Sequence, residues 1–307
     1  MEMRQAFAFE IDRYMSQNEN IVLLNADLAK PNGLSEISKK YPERCINVGI
    51  AEQNMASIAA GMSSYGFIPF IFTFTPFATR RICDQIAISI AYAGQNVKIV
   101  GTDPGISAEY NGGTHMSVED IGVLRSIPNM VIFEPVDNVQ LKKALPQILH
   151  FDKPLYIRMF RKELPNVFKD DYSFDLFKAD VIKEGNDVTI ICSGIMVQEV
   201  LEADKKLSEF GISAEIINVH TIKPVDKDTI IKSAVKTKHV ITVENHNIIG
   251  GLGSAVSEIL SQNYPTILKC IGIKDVFGQV GKMPYLKQEY GMDSKSITDE
   301  VLEILNR

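Results

Sequence analysis

Cysteine is scarce and scattered. Cys45, Cys83, Cys192 and Cys270 are the only four in 307 residues, and no two stand in a C-x-x-C spacing. The usual zinc and dithiol motifs need that spacing, so both are excluded, and isolated thiols fit a reducing compartment. Long apolar runs are missing too. None reaches the ~18 residues of a membrane span, and Met1 to Gln5 forms no charged-then-apolar leader. Nor is there an excess of basic charge. The 32 Lys and Arg face 38 Asp and Glu, a net charge of −6, whereas a nucleic-acid binder needs clustered cations to neutralise phosphates. The basic pairs Lys39-Lys40, Arg80-Arg81 and Lys205-Lys206 read mostly as solvated surface. The expectation is a cytoplasmic protein that meets neither membrane nor nucleic acid.

What is present is an ordinary globular balance, 45% hydrophobic and 23% charged, with length for two domains of ~150 residues. Short apolar runs alternate with amphipathic stretches, the pattern of parallel strands joined by crossover helices. The runs at 21–24, 67–72, 97–100, 130–133 and 154–159 predict strands, with helices at 4–16, 53–64, 81–92, 118–127 and 136–150. These make a first α/β domain over 1–165, a parallel sheet with helices on both faces. Residues 166–186 lack clean periodicity and read as a linker. A smaller α/β domain follows over 187–307, with strands at 188–192, 214–219, 239–243 and 266–271. Helices at 196–210, 227–235 and 253–262 connect them. Gly250-Gly251-Leu252-Gly253 resembles part of a dinucleotide fingerprint, but Val256 replaces its third glycine, so a tight turn into a helix is the better reading.

Three segments of the first domain could carry chemistry. In Asn47-Val48-Gly49-Ile50-Ala51-Glu52, a strand-like end turns into a helix with Glu52 in its first turn. An acid there can simply complement the helix dipole. Its neighbours Ile50, Ala51, Met55 and Ile58 would also leave it poorly solvated, able to share a proton with a ligand nitrogen. In the second segment Phe70, Phe72 and Phe74 alternate onto one strand face and read mainly as core. The run ends at Pro76-Phe77, where a loop leaves the carboxyl end of a parallel strand, the place where open α/β sheets bind ligands and where rings can stack on a flat heterocycle. The third is a glycine-rich loop after strand 97–100, from Gly101 through Asp103 to Asn111-Gly112-Gly113-Thr114-His115. A histidine delivered by such a loop is either structural or functional.

Together these segments resemble the thiamine-diphosphate enzymes of the transketolase family. NVGIAEQNMASIAAGM is similar to their glutamate motif, and GFIPFIFTFTPFATRRICDQI to the cofactor-contacting strand and loop. YNGGTHMSVEDIGVLRSIPNMVIFEPVD is similar to their substrate-histidine loop, and TIKPVD and IGGLGSAVSEIL to their C-terminal domain. The resemblance implies that Glu52 hydrogen-bonds N1′ of the cofactor's aminopyrimidine, favouring the 4′-imino tautomer that takes the thiazolium C2 proton. It further implies that Phe74 and Phe77 flank the pyrimidine, Phe77 stacking on it, and that His115 hydrogen-bonds sugar oxygens. Arg4 and Arg161, with Arg158 as a close alternative, fall near positions that hold a sugar phosphate.

The family's Gly-Asp-Gly motif, which holds Mg2+ and the diphosphate, is absent. The implied arrangement is therefore a split enzyme. An N-terminal partner subunit carries the metal and diphosphate, two copies of each subunit assemble, and this chain alone is inert. Asp103 stands where common transketolases have a second histidine, and Asn111 where they have an aspartate. An anionic Asp103 would repel a phosphate unless paired, which puts the usual phosphate pocket in doubt and leaves the ketol donor as a ketose phosphate or a modified sugar such as a sulfo-sugar, with an aldose as acceptor. Competing readings are a deoxyxylulose-phosphate-synthase-like protein, a 2-oxo-acid dehydrogenase beta subunit, and a non-catalytic regulatory or electron-transfer protein.

Overall fold

The computed structural model describes residues 1–305. The chain divides into two compact units, one of Met1–Pro104 with Val123–Leu176, the other of Gly105–Gly122 with Phe177 onward. The glycine-rich loop thus clusters with the second unit.

In the first unit six strands pair in parallel: β1 (Ile21–Asn25), β2 (Cys45–Asn47), β3 (Ile68–Phe74), β4 (Lys98–Thr102), β5 (Val131–Phe133) and β6 (Leu155–Met159), in the spatial order β5-β6-β4-β3-β1-β2. All five residues of β1, β4 and β6 are buried, as near-continuous apolar runs of a two-side-covered parallel sheet should be. Phe70 and Phe72 do lie in the core, each edge-on to Phe7 of the helix Met3–Met15. Phe74, at the end of the strand, is only half-buried. The helix expected over 81–92 is continuous but changes register, from a 3-10 turn at Arg80–Ile82 through α-helical Cys83 and Asp84 to a wider π-helix at Gln85–Tyr92. Such bulged turns are a recurrent feature of functional regions.

The second unit holds a five-stranded sheet ordered β12-β11-β8-β9-β7. Its strands are β7 (Asp180–Lys183), β8 (Val188–Cys192), β9 (Ala214–Asn218), β11 (His239–Asn247) and β12 (Ile267–Ile273), and a three-residue strand, β10 (Thr221–Lys223), follows β9 in sequence. β7 pairs antiparallel with β9 and the other pairings are parallel. This corrects the reading of 166–186 as a linker, because β7 lies inside it as the sheet's edge strand. Parts of the stretch ahead of β7 are pinned by helix-capping aspartates, which have a second carboxylate oxygen to spare. Asp137 caps the helix Asn138–His150 through Gln140 N–H and also accepts from the N–H groups of Val167 (2.6 Å) and Phe168 (2.8 Å). Asp226 caps Lys227–Thr237 and also accepts from Ala179 N–H at 3.1 Å. No helix among the described residues is long and apolar enough to cross a membrane.

Lys98 opens β4 fully buried, and its Nζ donates to the carbonyl oxygens of Phe151 (2.5 Å) and Lys153 (2.8 Å). Burial disfavours its charge and pushes its pKa down from 10.5 to about 7. Between those values the unfolded chain holds the proton more firmly, so raising the pH favours the folded state. That contribution fades as the pH falls towards 7. Relative to Lys98→Met, the wild type is expected to gain stability from pH 7 upward, by at most about 1.4 kcal/mol per pH unit. Urea midpoints that stay parallel across that range would show the amine is not titrating in the fold.

Candidate active site

Glu52 is delivered by a turn only glycine makes easily. Gly49 takes φ +73° just past β2, and its N–H is held by Asn47 Oδ1 at 3.0 Å. The helix Glu52–Ser64 begins immediately after, so the acid sits at its N-terminus, where the exposed peptide N–H groups favour negative charge. The side chain is 4% exposed and is met by a cation. Arg81 Nη1 donates to Glu52 Oε1 at 2.8 Å, while the same guanidinium lies over the ring of Phe77, its carbon 3.7 Å from the centroid. Phe77 is in turn 6.3 Å from Phe74, the rings tilted by 52°. Glu52 and Arg81 line a surface depression of about 440 Å³ together with Ile50, Ala51, Gln53 and Asn54.

Phe74 leads to a second cluster. Arg161 lies over its ring at 4.9 Å and donates from Nε to Asp103 Oδ2 at 2.6 Å, with Nη2 on the same oxygen. Arg161 Nη1 (3.3 Å) and Arg4 Nη1 (2.9 Å) both donate to the carbonyl of Pro31. Arg4 is balanced by Glu2, at 2.8 Å from Nε. Asp103 is buried at φ +53°, a left-handed turn that aspartate tolerates better than most residues. Burial pushes its carboxyl above the ordinary carboxylate range, and the hydrogen bond from Arg161 opposes that shift. Its other oxygen, Oδ1, is buried with no hydrogen-bond partner. Arg158, the alternative to Arg161, is fully buried against Glu134, with Nη1 to Oε1 at 2.5 Å.

The structure therefore brings together Glu52, Phe77, Phe74, Arg161, Asp103 and Arg4 in one unit. Asn111 and His115 belong to the other. There Asn111 is exposed and His115 half-buried, its Nδ1 2.9 Å from Thr114 Oγ1. The loop carrying them is fastened at its base, where Gly105 N–H donates to Ser117 O (2.8 Å) and Ile106 N–H to the side chain of buried Asn245 (2.9 Å).

Sequence reasoning passed over Arg81, because an Arg pair looks like surface. The available signal was position: Arg81 lies only four residues after Phe77, close enough in sequence for a long cation to fold back over the ring. The glycines at 250–253 do make a turn into a helix, Leu252–Asn263. The buried carboxylate of Glu244 accepts from Leu252 N–H (2.6 Å) and Gly253 N–H (2.9 Å), filling the place an incoming phosphate would need. Among the described residues no group of three His, Cys, Asp or Glu could hold a metal ion.

Comparison with known proteins agrees with the resemblance over the whole length. Residues 1–167 match the family described as Transketolase, pyrimidine binding domain, and residues 177–297 match Transketolase, C-terminal domain. The chain is 47% identical over 305 residues to the 6-deoxy-6-sulfo-D-fructose transketolase subunit SqwH of Clostridium sp. (strain MSTE9), covering 99% of this chain and 95% of that one. It is 35% identical over 305 residues to a subunit of the apulose-4-phosphate transketolase of Phocaeicola vulgatus, covering 99% and 97%. A solved structure described as a split gene transketolase, inactive beta4 tetramer, superposes with a TM-score of 0.91 at 38% identity, covering 100% and 98%.

Gly105 takes φ +54°, and an added Cβ would be driven into the side chain and carbonyl of Asn245. Gly105→Ala is expected to cost about 1–3 kcal/mol through overpacking and backbone strain. Chemical denaturation of the purified chain measures this, and an unchanged midpoint would mean that the loop base is not clamped.

Proposed function

The chain belongs to the transketolase family, and from that premise we propose that it is the pyrimidine-binding subunit of a two-subunit ketol transferase. The observation that carries this reading is the way Glu52 and Phe77 hold Arg81. A guanidinium is flat, cationic and rich in N–H donors. Here it stacks on an aromatic face and donates to a buried carboxylate. A protonated aminopyrimidine makes the same two demands, so the residues present fit that ring of thiamine diphosphate. When bound, the cofactor supplies the carbanion chemistry of ketol transfer.

The chain's own residues have simpler tasks. Glu52 shares a proton with a ring nitrogen, Phe77 stacks, and Phe74 borders the ring. Arg81 is a placeholder that swings aside. Mg2+ and the diphosphate are assigned to an N-terminal partner subunit, with two copies of each chain in the assembly and a cytoplasmic location. We place the domain division shortly after β6, and the two family matches, over residues 1–167 and 177–297, support a second domain that begins ahead of β7.

For the substrate, we favour a ketose bearing a terminal sulfonate as donor and an aldose as acceptor, with Arg4, Asp103 and Arg161 at the anionic end and Asn111 and His115 at the hydroxyls. Two things support this. The 47% identical relative is named for a sulfo-fructose, and Asp103 engages Arg161, removing much of the positive charge a phosphate dianion would seek.

With the partner subunit present, Glu52→Gln is expected to lower kcat by roughly 10²–10⁴-fold, with assembly preserved by size-exclusion chromatography. An unaltered rate would remove the assignment. Arg81→Ala in the assembled pair is expected to lower the thiamine diphosphate concentration for half-saturation severalfold, since a competing contact worth about 1–2 kcal/mol is gone. A higher requirement would mean that Arg81 helps to hold the cofactor. Transfer from xylulose 5-phosphate to ribose 5-phosphate at ordinary transketolase rates would count against the sulfonate donor.

A further inference from the structure

The loop after Asp103 is braced at a point where its backbone is unusual. Glu109 adopts φ 47°, ψ −113° inside the turn Gly105–Asn111. That region is open to glycine and strained for a residue with a long side chain. The side chain gives the strain a purpose. Glu109 Oε1 accepts the N–H of Met283 at 3.0 Å. Met283 is the first residue of the helix Met283–Glu289, and Lys282 before it offers no side-chain cap. Glu109 therefore serves as that helix's cap from 174 residues away in sequence, a carboxylate against a peptide N–H at a helix start.

Close backbone packing continues the brace along the loop. A Cβ on Gly112 would press on Val280, one on Gly113 on the carbonyl of Gly278, and one on Gly278 on Met116. Together with the fastening of Gly105 and Ile106, the loop is tied at its base, its middle and its far side, all within the second unit. Asn111 lies two residues beyond Glu109, and His115 six.

We propose that Glu109 is a positioning residue: by gripping Met283 N–H it fixes the strained turn that presents Asn111 and His115 to the sugar. This rests on the reading that the loop meets the substrate. Three substitutions separate the side-chain tie from the backbone strain. Glu109→Gln keeps the acceptor, Glu109→Ala loses it and keeps the strain, and Glu109→Gly loses the tie and relieves the strain.

With the partner subunit present, Glu109→Ala and Glu109→Gly are both expected to raise KM for the ketose on the order of tenfold or more, as small misplacements of binding groups do. Glu109→Gln should stay near the wild type. Glu109→Gly should melt no lower than the wild type although its KM is impaired, a split that a purely stabilising contact would not produce. On the isolated chain, hydrogen exchange at the Met283 amide should quicken in the Ala and Gly variants and not in the Gln variant. Wild-type KM in both Ala and Gly variants, or an unchanged Met283 amide, would overturn the proposal. A wild-type pair that transfers no ketol unit would instead remove the functional reading beneath it and leave the exchange measurement standing on its own.

Discussion

A carboxylate that is 4% exposed must be met by something, and in this chain the Glu52–Arg81 pair over Phe77 is that meeting. An isolated buried charge is expensive, so its surroundings have to supply a cation or a donor. The parallel sheet makes this possible. Glu52 follows β2, Phe74 ends β3 and Phe77 follows it, Asp103 follows β4 and Arg161 follows β6. All four strands point the same way, so their carboxyl ends gather at one edge, where open α/β sheets bind ligands.

The same edge is nearly balanced in charge. Arg4 faces Glu2, Arg161 faces Asp103 and Arg81 faces Glu52. Asp103 is the telling member, because its burial opposes ionisation while the fork of Arg161 favours it. The concern that an acid here would stand unopposed is answered by that pairing. Arg158 is occupied elsewhere, paired inside the sheet with Glu134.

Much of this was legible in the sequence. Strand β8 lies at residues 188–192 as its apolar run implies, and the strands after Asn20, Gly66 and Asn96 begin within a residue of where hydrophobicity rises. Glu52 and Phe77 could be picked out because each follows a strand end, whereas Phe74, the last residue of β3, read mainly as core and was singled out by the family resemblance. The missed strands β2 and β7 share a cause. Both are short, with half-buried or exposed residues, so they lack the apolar contrast on which the reading depends. The π-helical register at 85–92 depends on hydrogen bonding that composition does not encode. Arg81 was hidden in a dibasic pair, and Glu109 owes its role to a backbone angle and to a partner far along the chain.

Glu244 shows how a glycine pattern can mislead. Its two carboxylate oxygens sit on the amides of Leu252 and Gly253, eight and nine residues downstream, so the chain carries its own internal counter-ion at the head of that helix. A nucleotide would have to evict a tethered, already desolvated competitor whose effective concentration no free ligand matches. When such glycines are met in other chains, a strand-borne acid about one turn and a strand-end upstream is therefore the feature that separates a self-sealed turn from a vacant phosphate cradle.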